Sequence, residues 1–285
     1  MKTGLIVEGG GMKCAYSAGV LDVFIENGID FDYVSGVSAG SACAASFLAG
    51  QRERNRRFYS IHSMSKKYAG VENLMKTGSF FGLDYIYSTL TNSDGADPLD
   101  FPALMANPAE FEVVATDAVT GHAVYFDKSD MSQDHYEAIK ASCALPVMSN
   151  PQVVNGREYF DGGVSDSIPI QRAYEKGVRK AVVIFSKPEG YLMQPQKHRP
   201  IYSVVLHRYP AIVYRLNHRH EFYNRQITKV RKLRDEGKVL TFSPSSKIKV
   251  GTYKVDQDVM EALYANGRRD AEARVSELKD FLGLK

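Results

Sequence analysis

Apolar positions along the chain fall into two rhythms. Short unbroken runs, Leu5-Ile6-Val7 and Ala181-Val182-Val183-Ile184-Phe185, read as strands buried on both faces. Phe111-Glu112-Val113-Val114-Ala115-Thr116 and Ala123-Val124-Tyr125-Phe126 read as two more, and the Gly121 turn between them predicts a hairpin. A helix is expected from the glycines at 9–11 to about Asn27-Gly28, followed by a strand near Asp32–Ser35. Ala39 to Ala49 holds almost nothing but small residues, which predicts a helix lying close against a sheet and ended by Gly50. Strands interleaved with helices predict an α/β fold, with a mainly parallel central sheet covered by helices on both faces.

Beyond Gln51 the rhythm loosens. Residues 51–108 mix basic runs, aromatics and polar turns such as Asn92-Ser93-Asp94-Gly95, the texture of helices and loops laid over a sheet and a place for a lid. From Ile201 the pattern turns to long helices, interrupted by a short strand at Val239-Leu240-Thr241-Phe242. The expected organisation is one domain over 1–200 and a mainly helical extension over 201–285 packed on it.

Bulk properties narrow the setting. A chain of 285 residues, 44% hydrophobic, suffices for one large domain or two small ones. A net charge of +3 is too little to argue for nucleic acid as a partner. No run approaches the roughly 18 apolar residues needed to span a bilayer, and the first apolar run meets Glu8 too early for a signal peptide. Cys14, Cys43 and Cys143, odd in number and widely spaced, suit reduced thiols. The expected location is the cytoplasm.

The chemistry concentrates at Gly36-Val37-Ser38-Ala39-Gly40, where a strand runs into a helix. Such a turn strains the serine backbone and projects its hydroxyl at the positive end of the following helix. Gly9-Gly10-Gly11, after the first strand, can aim several N–H groups at one spot, either for a nucleotide phosphate or for an oxyanion. The nucleotide fingerprint needs a glycine where Cys14 stands, and the strand after it leads into a nucleophile turn. Asp161-Gly162-Gly163 ends the short strand Arg157–Phe160; it reads as a turn, or as the base that a serine nucleophile requires. None of the seven histidines (His62, His122, His135, His198, His207, His218 and His220) has a catalytic-looking context. The residues alone leave Asp161 as direct base and a Ser-Asp-His triad about level.

Together these elements resemble the patatin-like phospholipases. Gly9-Gly10-Gly11-Met12-Lys13, Gly36-Val37-Ser38-Ala39-Gly40 and Asp161-Gly162-Gly163 look like that family's three signatures, in order. Ala141-Ser142-Cys143-Ala144-Leu145-Pro146 resembles a fourth block between nucleophile and aspartate. The resemblance covers residues 4 to 190 and implies a three-layer α/β/α catalytic domain with a Ser38–Asp161 dyad, Ser38 as nucleophile and Asp161 as general base. It implies an oxyanion hole built on Gly9, Gly10, Gly11 and Met12, with Lys13, Gly36, Gly40, Gly162 and Gly163 as supporting positions. It implies a lipid or acyl-ester substrate and neither metal nor cofactor. Hydrolysis is the expected outcome; acyl transfer from the same acyl-enzyme, and lipid binding by a vestigial site, are the alternatives. Cys14 departs from the family's glycine and is read as a small buried apolar residue.

Between Lys197 and Arg234 stand ten Lys and Arg residues and a single acid, Glu221, interleaved with aromatics. This segment predicts either a helix packed on the domain with a solvated basic face or a peripheral contact with the inner membrane surface. The Phe80-Phe81 pair and Tyr85 to Tyr87 read as the lining of an acyl groove or as core.

Overall fold

The structure, a computed structural model, describes residues 1–244, 250 and 256–284; residues 245–249, 251–255 and 285 of the expected extension lie outside the described residues. The strands are β1 (Thr3–Val7), β2 (Tyr33–Val37), β3 (Glu110–Asp117), β4 (Ala123–Phe126), β5 (Gln152–Val154), β6 (Arg157–Asp161), β7 (Lys180–Ile184) and β8 (Val239–Phe242). The helices are α1 (Ala15–Glu26), α2 (Ala39–Leu48), α3 (Arg54–Ser60), α4 (Val71–Thr77), α5 (Phe101–Ala106), α6 (Glu137–Ser142), α7 (Ile170–Glu175), α8 (Arg199–Val205), α9 (Pro210–Asp235), α10 (Gln257–Glu272) and α11 (Val275–Leu282).

Hydrogen-bonded neighbours run β5-β6-β3-β2-β1-β7-β8, with β4 also paired to β3. Pairings among β3, β2, β1, β7 and β8 are parallel, whereas β4, β5 and β6 join by antiparallel pairing. The central sheet is therefore mixed and mainly parallel, as the strand–helix alternation predicts. The β3–β4 hairpin is present as expected. The β5–β6 hairpin, turning at Asn155-Gly156, is an addition that its three-residue first strand hides in the sequence.

Burial on both faces explains the unbroken apolar runs. Leu5 and Val7 of β1 enter a core that also holds Val20, Phe24 and residues of α10. Ile6, between them, points into a second core with Ile170, Tyr223 and Ile227 of α7 and α9. The same alternation splits Val182 and Ile184 from Ala181 and Val183 on β7. The result is three layers, helix on sheet on helix.

The C-terminal region enters this plan in two places. Strand β8 extends the sheet in parallel register with β7. Helix α10 crosses α1 where two glycines face backbone: a Cβ on Gly19 would stand 2.1 Å from the Tyr264 carbonyl oxygen, and one on Gly267 2.0 Å from that of Tyr16. Residues 51–108 form α3, α4, α5 and a π-helical turn at Tyr85–Leu90. No helix among the described residues is long and apolar enough to cross a membrane.

Candidate active site

Strand β3 explains how two residues 123 apart in sequence meet. Its residues 110–114 pair with β2, and Val114 lies opposite Val37. Its residues 115–117 pair with β6, and Ala115 lies opposite Asp161. Strand β4 pairs with residues 113–116 and overlaps both, so it occupies the other side of β3, leaving β2 and β6 to meet end to end on one side. Ser38, the residue after Val37, thereby runs head-on into Asp161. The Ser38 Oγ donates to Asp161 Oδ2 at 2.6 Å.

Each partner is fixed by its surroundings. Ser38 adopts φ 54° and ψ −135°, a conformation L-residues rarely accept, and caps α2 through its carbonyl, which receives the Ser41 N–H at 2.8 Å. Gly36 and Gly40 flank it where α2 abuts β2 and β1. The Ser38 N–H donates to Ser142 Oγ at 2.8 Å, and Ser142 Oγ donates in turn to the Val114 carbonyl. Ser142 thus ties the elbow to β3. Asp161 is buried, with its Oδ1 receiving the Gly163 N–H at 2.7 Å, its N–H bonded to the Ala144 carbonyl and its own carbonyl receiving Thr116 Oγ1 at 2.8 Å. Gly162 lies against the Val114 carbonyl. Burial raises the Asp161 carboxyl above the ordinary aspartate value, against the opposing pull of the Ser38 hydroxyl, Arg219 and the Gly163 amide.

The glycine loop lies over the same spot. A Cβ on Gly9 would stand 2.7 Å from both Ser38 Cβ and the Val37 carbonyl oxygen, so only glycine lets the loop approach the elbow this closely. The amides of Gly9 and Gly10 donate to no protein group among the described residues, and Gly11 to Cys14 form a 3₁₀ turn. The loop is anchored by Glu8, which is buried, receives the Ser186 N–H at 2.9 Å and pairs with Lys187. Lys13 and Met12 line the cleft beside it. Burial, then the neighbouring Lys187 ammonium, lowers Lys13 from its ordinary value. Cys14 is buried with its thiol directed at the Glu8 carbonyl, and burial pushes that thiol well up, as suits a packing residue.

Ser38 and Asp161 open into a cleft of about 490 Å³. Phe58, Tyr68, Phe80, Phe81, Leu83 and Ile86, all from the 51–108 region, supply apolar lining. Lys13, Lys187, Gln194, Gln196 and Arg219 supply polar and cationic lining. Phe80, Phe81, Ile86 and Tyr87 line the cleft, and Ile86 and Tyr87 are also core; Tyr85 is not among the lining residues. No histidine is hydrogen-bonded to Ser38 or Asp161 among the described residues. Nor do the described residues contain a group of three or more His, Cys, Asp or Glu able to hold a metal ion.

Ser142, Ser186, Lys187 and Arg219 are the site residues that the motifs do not announce. Ser142 stands inside the quoted Ala141–Pro146 block, though nothing there signals its bond to Ser38. Arg219 lies in the basic segment but faces inward, its Nε donating to the Gly163 carbonyl at 2.6 Å.

A serine on a strained strand–helix turn, bonded to a buried carboxylate under a glycine loop, can lose its proton as it attacks a carbonyl carbon. Sequence comparison matches residues 5–174 to the model of the patatin-like phospholipases, and the chain belongs to that family. A second model, for a domain of unknown function, matches residues 209–283. Similar curated proteins include YjjU of Escherichia coli, 29% identical over 67% of this chain and 54% of that protein. An NTE family protein of Mycobacterium tuberculosis is 24% identical over 59% of the chain and 44% of its own length. The lysophospholipase NTE1 of Yarrowia lipolytica is 23% identical over 66% of the chain and 12% of its own. The chain thus spans about half or less of these relatives. Among solved structures, VipD from Legionella pneumophila shares the fold at a TM-score of 0.54 and 14% identity, across 97% of this chain and 67% of VipD.

Proposed function

We propose that the protein is a serine acyl hydrolase that cleaves carboxyl esters of lipids, of the lipase, phospholipase A or lysophospholipase type. Ser38 Oγ attacks the ester carbonyl while Asp161 takes its proton; the carboxyl then protonates the departing alkoxide. Water next attacks the acyl-enzyme, delivering its proton to Asp161, and the acid leaves as Ser38 recovers its hydrogen. Amides of the loop Gly9 to Met12 hold the oxyanion in both steps, each such donor contributing roughly 3 kcal/mol to the transition state. The observation that supports this reading most is the 2.6 Å bond between Ser38 and the buried Asp161 at the cleft floor. The apolar lining residues suit an acyl chain, and the cationic ones suit a polar or anionic headgroup. Fluorophosphonate labelling tests it: Ser38 is expected to be the labelled residue, and wild-type protein that turns over p-nitrophenyl butyrate without labelling at Ser38 would exclude it.

Contact with a lipid surface is proposed at the cleft rims rather than along the whole basic segment. Arg215 and Arg219 turn inward onto the carbonyls of Gly121 and Gly163, and Arg234 pairs with Glu189. Helix α4, set between the cleft-lining Ala69 and Phe80, exposes Val71, Leu74 and Met75, the last at 82%, with exposed Lys66 and Lys67 nearby. Helix α8, beginning three residues after the cleft-lining Gln196, exposes Ile201, Val204 and Val205. Apolar residues beside cations suit an anionic lipid interface. Met75→Glu is expected to weaken sedimentation with phosphatidylglycerol vesicles while sparing hydrolysis of a water-soluble ester.

A further inference from the structure

Helix α9 belongs to the segment that matches a domain of unknown function; three of its side chains reach the parts of the site supplied by the rest of the chain, and a fourth, Gln226, braces the segment that follows Gly163. Arg219 donates through Nε to the Gly163 carbonyl at 2.6 Å, where Ser167 Oγ also donates at 2.9 Å. Tyr223 lies under Lys187, whose ammonium is 5.1 Å from the ring centroid and pairs with Glu8 of the glycine loop. Asn224 bonds both the N–H and the carbonyl of Met193, fastening the segment that brings Gln194 and Gln196 to the cleft. Gln226 receives the Ile168 N–H and donates to Asp166.

We infer that α9 completes the site and that Arg219 is a positioning residue for Asp161, an assignment that rests on the reading of Asp161 as base. Gly162-Gly163 has no side chains of its own to hold it. Yet the Gly163 N–H must meet Asp161 Oδ1 if Oδ2 is to stay aimed at Ser38. Arg219 and Ser167 fix the carbonyl on the other side of the same Cα and so set the direction of that N–H. A carboxylate displaced by about 1 Å loses alignment with the serine hydroxyl, a misplacement that can cost about 100-fold in rate. The guanidinium has a second effect through charge. The groups facing Asp161 are the Ser38 hydroxyl, the Gly163 amide, the Cys143 thiol, the Lys187 ammonium and the Arg219 guanidinium. Both cations favour the ionised carboxylate that must accept the proton.

The test is the kinetics of Arg219→Ala and Arg219→Lys on p-nitrophenyl butyrate across pH. Arg219→Ala is expected to lower kcat by about 10- to 100-fold with KM little changed. Its acidic limb of kcat/KM should move to higher pH, and added guanidinium ion should restore part of the rate. Arg219→Lys should keep the limb near its wild-type position while kcat stays low. An unmoved limb without guanidinium rescue would overturn the inference, as would a loss confined to KM. Should Arg219→Ala fail to fold, Arg219→Gln carries the same measurements. Failure of wild-type Ser38 to take the fluorophosphonate label would instead remove the underlying reading of the site.

Discussion

The turn that carries Ser38 takes its shape largely from residues beside it, whereas the turn that carries Asp161 is held from distant parts of the chain. Five residues with glycine at both ends, a strand before and a small-residue helix after, are enough to bend the backbone at Ser38 to a positive φ. The Asp161 turn depends on the Ala144 carbonyl, on Thr116 of β3 and on Arg219 from α9, whereas the Ser38 turn has one distant hydrogen bond, from its N–H to Ser142. A local device can be read as a motif. The partners that hold the Asp-Gly-Gly turn cannot, although the turn itself can, because no single stretch of sequence records the distances between segments.

Mutations can break this contrast, beginning with the pair itself. Ser38→Ala should remove ester turnover, a loss of about 10³-fold or more, with little change in Tm. Asp161→Asn should lose comparable activity and yet gain stability at neutral pH. Because burial raises the folded-state value above the unfolded one, the fold prefers the neutral carboxyl. That stability is present below the unfolded value, about 3.9, and is lost as pH rises through the folded one. Thermal melts of the two proteins should therefore diverge at pH 7 and converge in acid. In wild type the acidic limb of kcat/KM should lie above the range of an ordinary aspartate.

Gly9→Ala acts on the elbow from outside. Its Cβ would displace the loop from Ser38, and a kcat loss of about 100-fold with an unchanged circular dichroism spectrum is expected. Ser142→Ala strips the acceptor from the Ser38 N–H; leaving that group unpaired costs about 1–3 kcal/mol, readable in a urea midpoint, with a smaller kcat loss than Gly9→Ala. The smallest effect is expected at the histidines. Replacing His220, one of the two histidines that flank Arg219 in sequence, should leave kcat unchanged; a large loss would favour a triad.

Several features were legible in the chain for stated physical reasons. Unbroken apolar runs mark strands buried on both faces, and the glycines at 9, 36, 40 and 162 mark places where backbone meets backbone. Other features were not. The strand at Gln152–Val154 is too short to show alternation, and the basic segment looks like a solvated or membrane face although Arg215 and Arg219 satisfy internal carbonyls. Whether an arginine on a 26-residue helix faces water or a glycine carbonyl depends on how that helix is rolled against the sheet.

The sequence by itself determined the α/β class, the serine elbow, the glycine loop and the Asp-Gly-Gly turn, since each is a short-range constraint on backbone shape. The tertiary structure decided which of these meet. Strand β3 brings Ser38 and Asp161 into one line by pairing with β2 and then β6 along the same edge. Burial sets the carboxyl's preference for its neutral form, and the roll of α9 delivers Arg219. Those outcomes depend on register and packing between segments 56 to 123 residues apart, where identity alone fixes nothing.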